Sequence, residues 1–238
     1  RVLDALGSDS VSGISETIEA QRIAEEARVT YYELMERDEW PHLVQLTQLD
    51  ALGDTDKPNY LRIPENVVRI HDFKYETTEA DDDQREFTRL CFMEPAEFLH
   101  YVQTRNSDDD NVETITDFSG IDLFIINDQP PMYYTTFDDE YIITDAYDNE
   151  VENTLEASKS VVMAKIMPDW ESDDAFVPDM PDQMFTTYVA EVTSACSMYL
   201  KQAASPKDEM RARRGIAKLR RMSAKLDEHN TKARFGRK

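Results

Sequence analysis

Glycine, cysteine and histidine are scarce in this chain of 238 residues, and each scarcity removes a class of chemistry. There are six glycines, and none forms G-x-x-x-x-G-K-[ST], G-x-G-x-x-G or G-x-S-x-G. The usual phosphate cradles and the nucleophile elbow are therefore excluded. The two cysteines, Cys91 and Cys196, stand far apart with no C-x-x-C between them. That argues against a disulfide scaffold and a Cys-rich zinc site, and for synthesis in a reducing cytosol. His42, His71, His100 and His229 show no metal-ligand spacing and no H-E-x-x-H. No catalytic residue, metal site or cofactor is expected. Apolar runs are short as well. The longest, Ile121 to Ile126, is interrupted by Asp122, so no segment has the roughly 20 apolar residues that cross a membrane. The chain opens on Arg1 rather than Met, and Arg1 to Gly7 reads like the end of a helix, so a preceding piece is expected.

Acidic residues are plentiful. Asp and Glu total 49 against 26 Lys and Arg, a formal net charge of −23. Such a surface disfavours general nucleic-acid binding, because it repels phosphate. Hydrophobic residues at 40% and aromatics at 10% are enough for a real core. The charge is uneven. Residues 207–238 hold 12 basic and 4 acidic residues, net +8, while residues 1–206 hold 14 and 45, net −31. An acidic body with a basic end points to a partner.

Periodicity divides the chain into three stretches. Ile14 to Arg37 reads as a helix with Ile14, Ile18, Ile23, Ala24, Ala27, Tyr31, Leu34 and Met35 on one face, capped by Ser12 or Ser15 and stopped by Pro41. Short β-type runs then follow: Leu43–Leu49, Val67–Thr77, Glu86–Met93, Gly120–Ile126, Met132–Phe137, Glu140–Asp145 and Val161–Met167. Within the second, simple alternation puts Val67, Arg69, His71, Phe73 and Tyr75 on one face. Asp138-Asp139 reads as a hairpin turn, and Pro95 opens one intervening helix through Phe98, Leu99, Tyr101 and Val102. Beyond Pro181 the pattern is helical again, with Met184, Tyr188, Val192 and Cys196 among its apolar positions. Ser205-Pro206-Lys207-Asp208 starts a last helix with Met210, Ile216, Leu219, Met222 and Leu226 inward and its Arg and Lys residues outward. The expected fold class is α+β. A helical bundle made by residues 1–41 and 178–238 carries the basic C-terminal tail, and residues 42–177 form a β-rich, sandwich- or barrel-like insert.

Three features invite chemical readings. The acid clusters at 81–83, 108–110, 138–140 and 173–174 lack the glycine and spacing of a calcium loop, and read as solvated loops. The run Met132 to Phe137 has rings for a stacking platform but no basic residue nearby, so it reads as a strand. The basic end reads as a nucleic-acid arm, a solvated helix, or a peptide that docks in an acidic groove with Phe235 as its anchor.

Several segments together resemble the head-to-tail adaptors of short-tailed bacteriophages, the tail tubular protein A-like connectors. They are Val2 to Gly7 with Ser12 to Pro41, then Pro130 to Ile142, Tyr147 to Lys159, Asp179 to Gln202, and the basic end Phe235 to Lys238. The likeness lies in layout along most of the chain. It implies a non-enzymatic virion protein at the head–tail interface. Twelve copies would form a ring that binds the portal protein and the tail nozzle protein, through which DNA passes without specific binding. It further implies that Arg234, Phe235, Gly236, Arg237 and Lys238 dock on the portal. Two rivals stand beside it. One is a DNA-contacting protein using Arg213, Arg214, Lys218, Arg220 and Arg221 on phosphates. The other is a carboxylate-based hydrolase, which needs two acids converging in a pocket, one with a raised pKa.

Overall fold

A computed structural model describes residue 2 and residues 13–78, 84–201 and 206–230, with side chains given outside 198–201 and 222–230. The chain is mixed α+β and divides into two compact units, one of Arg1–Leu43 with Met167–Lys238, the other of Val44–Ile166. Among the described residues there are four α-helices, a curled eight-stranded sheet and a two-stranded hairpin.

In the first unit, helix α1 is Ile18–Arg37. It begins four residues later than the periodicity predicts because Thr17, not a serine, makes the cap. The Thr17 Oγ1 accepts from the Ala20 amide at 3.0 Å. This satisfies one of the amides that a helix start leaves open. Ser12 lies outside the described residues. The buried side is Ala20, Ile23, Thr30, Tyr31, Leu34 and Met35, while Ile18 is 73% exposed. At the other end Trp40 explains the exit. Its indole N–H donates to the Leu34 carbonyl at 2.7 Å, closing an open carbonyl before the 3-10 turn Pro41–Leu43.

Helix α3 is Asp182–Lys201 and helix α4 is Pro206–Asn230. Both α1 and α4 pack on α3. Toward α1, the α3 residues Met184, Tyr188, Val192 and Cys196 join Ile23, Tyr31, Leu34 and Met35 in one core. Tyr31 is fully buried; its ring lies 5.3 Å from Trp170 and 6.2 Å from Tyr188, whose hydroxyl donates to the Ala27 carbonyl at 2.8 Å. Trp170 in turn sits 4.8 Å from Phe176. These aromatic contacts place residues 167–177 in the helical unit, not in the β-rich part where the sequence pattern puts them. Toward α4, small side chains line α3, with Thr187, Ala190 and Ser197 buried. The α4 residues turned inward are Ala212 and Leu219, not Met210, which is 53% exposed. Gly215 faces Thr187 so closely that a Cβ there would lie at or within 3.0 Å of three Thr187 side-chain atoms.

In the second unit the sheet strands are β1 Val44–Thr47, β2 Asp50–Ala51, β3 Tyr60–Arg62, β4 Val67–Glu76, β5 Phe87–Phe92, β8 Tyr133–Thr135, β9 Tyr141–Thr144 and β10 Ser160–Ile166. The hairpin is β6 Val112–Thr116 with β7 Asp122–Ile126. Sheet order is β1-β10-β4-β5-β8-β9-β3-β2, antiparallel except for the parallel β5–β8 pair. The expected alternation along β4 fails. Met163 pairs with Asp72 but Ala164 with Ile70, and Lys165 with Arg69 but Ile166 with Val67. His71 and Val68 are thus extra residues, two β-bulges. Each resets the pleat, so Val67, Ile70, Phe73 and Tyr75 share the core side and Arg69 and His71 are exposed. Asp138-Asp139 does turn the chain from β8 to β9. Asp139 takes φ 60°, and the Asp138 carboxylate accepts from the Glu140 and Tyr141 amides. Helix α2, Pro95–Gln103, buries Phe98 and Val102. Just beyond it Arg105 donates to the Phe124 and Asp145 carbonyls and pairs with the buried Asp145 carboxylate at 3.3 Å.

The α3–α4 contact is testable. Gly215→Ala gains about 1 kcal/mol of helix propensity, but overpacking against a β-branched side chain costs about 1–3 kcal/mol. Urea unfolding should show a net loss, relieved when Thr187→Ala is added. Unchanged or higher stability in Gly215→Ala would mean that α4 is seated loosely.

Candidate functional site

Two kinds of site were expected, a basic face on the last helix and a pair of carboxylates. The seat of α4 decides the first. With Ala212, Gly215 and Leu219 turned toward α3, all of Arg211, Arg213, Arg214, Lys218, Arg220 and Arg221 are exposed. They do not act alike. Arg213 pairs with Glu209 one turn back at 2.5 Å, and Arg220 Nε donates to Asp38 at 2.9 Å. Lys207, Arg211, Arg214, Lys218 and Arg221 follow one another at spacings of four, three, four and three, which aligns them on one helical face. Among the described residues none of these five has an ion-pair partner. The structure thus brings Arg214, Lys218 and Arg221 of the five expected phosphate-contact residues together, adds Lys207 and Arg211, and sets Arg213 and Arg220 aside. The Glu209–Arg213 spacing of four was the one sequence signal for this division. Nothing in the sequence signals Asp38 as the partner of Arg220. Arg234, Phe235, Gly236, Arg237 and Lys238 lie outside the described residues.

Three partly buried carboxylates of the β-rich unit answer to tyrosines. Tyr75 donates to Glu152 at 2.5 Å and accepts from the Glu156 amide at 2.8 Å, and Lys159 pairs with Glu152 at 3.1 Å. Tyr60 donates to Asp117 at 2.8 Å, and Tyr147 donates to Glu113. Burial, reinforced by the adjoining carboxylate, pushes all three phenols up. Burial also raises Glu152, against its bonds to Tyr75 and Lys159. Burial alone would raise Asp117, but hydrogen bonds from Ser119, Tyr60 and the Phe118 amide outweigh it and hold the group below the ordinary 3.8. These pairs close polar groups inside the fold, each satisfied by a partner. A groove of about 960 Å³ opens on the same unit, where Asp72, Glu94 and Asp139 meet Phe73, Phe92 and Tyr134. Glu152 is not among its lining residues, and Asp72 is held by Arg89 at 2.5 Å.

The remaining candidates are bland. Tyr134 of the aromatic run is buried between Phe73 and Phe92, as a strand residue would be. Cys91 and Cys196 are free thiols, and burial pushes Cys196 up to about 11. Among the described residues no three His, Cys, Asp or Glu side chains are placed to hold a metal ion, and no helix is long and apolar enough to cross a membrane. No family model matches the chain, and no curated protein matches it.

The Tyr60–Asp117 pair yields a pH-dependent prediction. A carboxylate whose pKa falls on folding stabilises the fold above its unfolded value, and that stability disappears as pH drops through its folded value. Tyr60→Phe should cost about 1–3 kcal/mol at pH 7. The gap to wild type should narrow as pH falls below 3.8. A gap that stays constant with pH would mean the phenol contributes packing alone.

Proposed function

We propose that this chain is a structural assembly protein, a head-to-tail adaptor of the short-tailed phage kind, which acts by holding partners together. The observation that carries the reading is the segregation of charge between the two units. Val44–Ile166 holds 28 acidic and 9 basic residues, net −19, whereas the helical unit holds 21 and 17, net −4, and α4 presents a row of cations with no ion-pair partner among the described residues. One unit is thus dressed to repel nucleic acid, and one helix of the other to grip an acidic surface.

In this reading α1, α3 and α4 form a helical bundle, and the curled sheet is a β-rich insert of sandwich- or barrel-like character. Copies assemble into a ring, twelve by the family resemblance. The bundle meets the portal protein and the insert meets the tail nozzle protein. DNA passes through the channel without specific contact, because acidic walls repel phosphate. Residues 234–238 latch to the portal, with Phe235 as anchor. No catalytic step is involved, and the protein resides in the virion at the head–tail interface.

The row Arg214, Lys218 and Arg221 also favours a second reading, phosphate contact with DNA. Electron microscopy and light scattering of the purified chain, alone and with its cognate portal, separate the two. The adaptor reading predicts rings, either spontaneous or portal-dependent, and weaker portal attachment with near-normal folding when residues 230–238 are removed. A monomer that ignores the portal would contradict it. Tight DNA binding by the isolated chain, falling steeply with salt, would favour the second reading.

A further inference from the structure

The cationic row on α4 has a counterpart on α1. The side of α1 turned away from α3 carries Ile18, Arg22, Glu25, Val29, Glu33 and Glu36, all exposed. Their spacing of four, three, four, four and three makes a second straight face. Glu25 is engaged by Arg28 at 2.6 Å, but among the described residues Glu33 and Glu36 have no ion-pair partner. The acids there crowd one another. Half-buried Glu26 is held above the ordinary carboxylate range by burial and by Glu33. Because α1 and α4 both pack on α3, each turns its free face outward; that of α4 is basic, and that of α1, with Arg22 near its start and Glu25 already paired, is acidic at its C-terminal end through Glu33 and Glu36.

The two faces also match in length and texture. At about 1.5 Å per residue, the row from Lys207 to Arg221 spans about 21 Å and that from Ile18 to Glu36 about 27 Å. Each carries exposed apolar surface among its charges: Ile18 at 73% and Val29 at 40% on α1, and Met210 at 53% beside the α4 row. Apolar side chains among charges fit a protein surface better than a phosphate backbone, which offers nothing to bury them.

We propose that copies of this chain associate head to tail, the basic face of α4 in one copy lying along the acidic face of α1 in the next. Each face repels its own kind, so the contact joins unlike faces. A joined pair still has one acidic face open on one copy and one basic face open on the other, the condition for a ring or a filament rather than a closed dimer. This rests on the adaptor reading only for the expectation that the assembly closes; the pairing itself follows from charge and placement.

Salt dependence alone does not test it, since salt screens both the attraction of the faces and the mutual repulsion of chains at −23. Charge reversal does. Glu33→Lys with Glu36→Lys brings the net charge from −23 to −19. If overall repulsion governs association, this variant associates more strongly. The proposed contact predicts the opposite, a loss of about tenfold or more in self-association by sedimentation velocity. Arg214→Glu with Lys218→Glu should lose as much, and mixing the two double variants, or combining all four changes in one chain, should restore association. All these positions are exposed, so circular dichroism should report an unchanged fold. A wild-type chain that stays monomeric at high micromolar concentration, a Glu33/Glu36 variant that associates more tightly, or a failed restoration would overturn the proposal. So would an α4 variant that loses DNA binding with self-association intact. Failure of the adaptor reading looks different: the charge rescue would hold, but the assemblies would ignore the portal.

Discussion

The close approach of α4 to α3 is the contact on which the functional account depends. A helix packed against one neighbour has no preferred rotation unless something on its surface fixes one. Here Gly215 is that element. The absence of a Cβ lets α4 come against Thr187, and the small residues Ala212, Ala190 and Ser197 continue the same seam. Once that side is inward, the rest of the helix has no choice. Arg213 falls beside Glu209, Arg220 reaches Asp38, and the row from Lys207 to Arg221 faces away from the protein. A rotation of one residue, about 100°, would turn that row away from its present side. Packing thus selects which cations are neutralised within the chain and which remain for a partner.

The acidic surplus is handled differently in the two units. In the β-rich unit the carboxylates that go inside, Glu152 and Asp145 above all, are each answered by a cation and by hydrogen bonds. Burying such groups without partners would cost several kcal/mol each. Others stay on loops, where Asp138 and Asp117 serve as turn-makers by accepting nearby amides. In the helical unit the C-terminal half of α1 exposes Glu33 and Glu36 side by side with no cation paired to them among the described residues, and burial together with Glu33 lifts Glu26. The proposal of head-to-tail association rests on the complementarity of this acidic end of α1 to the basic row of α4.

Much of the local structure was legible before any coordinates. The 3.6-residue spacing of Ile23, Tyr31, Leu34 and Met35, and of Met184, Tyr188 and Val192, marks helices because a buried stripe must recur at the helical period. The Asp138-Asp139 turn was legible because aspartate bonds its own following backbone. Other features depend on tertiary context. The bulges at Val68 and His71 arise from pairing with β10 and leave no periodic trace. Strands β2 and β3 are short, and β3 takes its place from β9, far along the sequence. Trp170 declares its unit only through the ring of Tyr31. For the candidate surface, composition located the basic helix. Which of its cations are free followed only from the seat against α3 and from Asp38, a residue more than 180 positions away from Arg220.

The most direct measurement is zero-length cross-linking between carboxylates and lysine amines on an equal mixture of ¹⁴N- and ¹⁵N-labelled chain, read by mass spectrometry. The account predicts mixed-isotope cross-links joining Lys218 of one copy to Glu33 or Glu36 of another. If Lys218 cross-links only within its own copy, or between copies only to acids of the β-rich unit, the pairing of α4 with α1 is wrong.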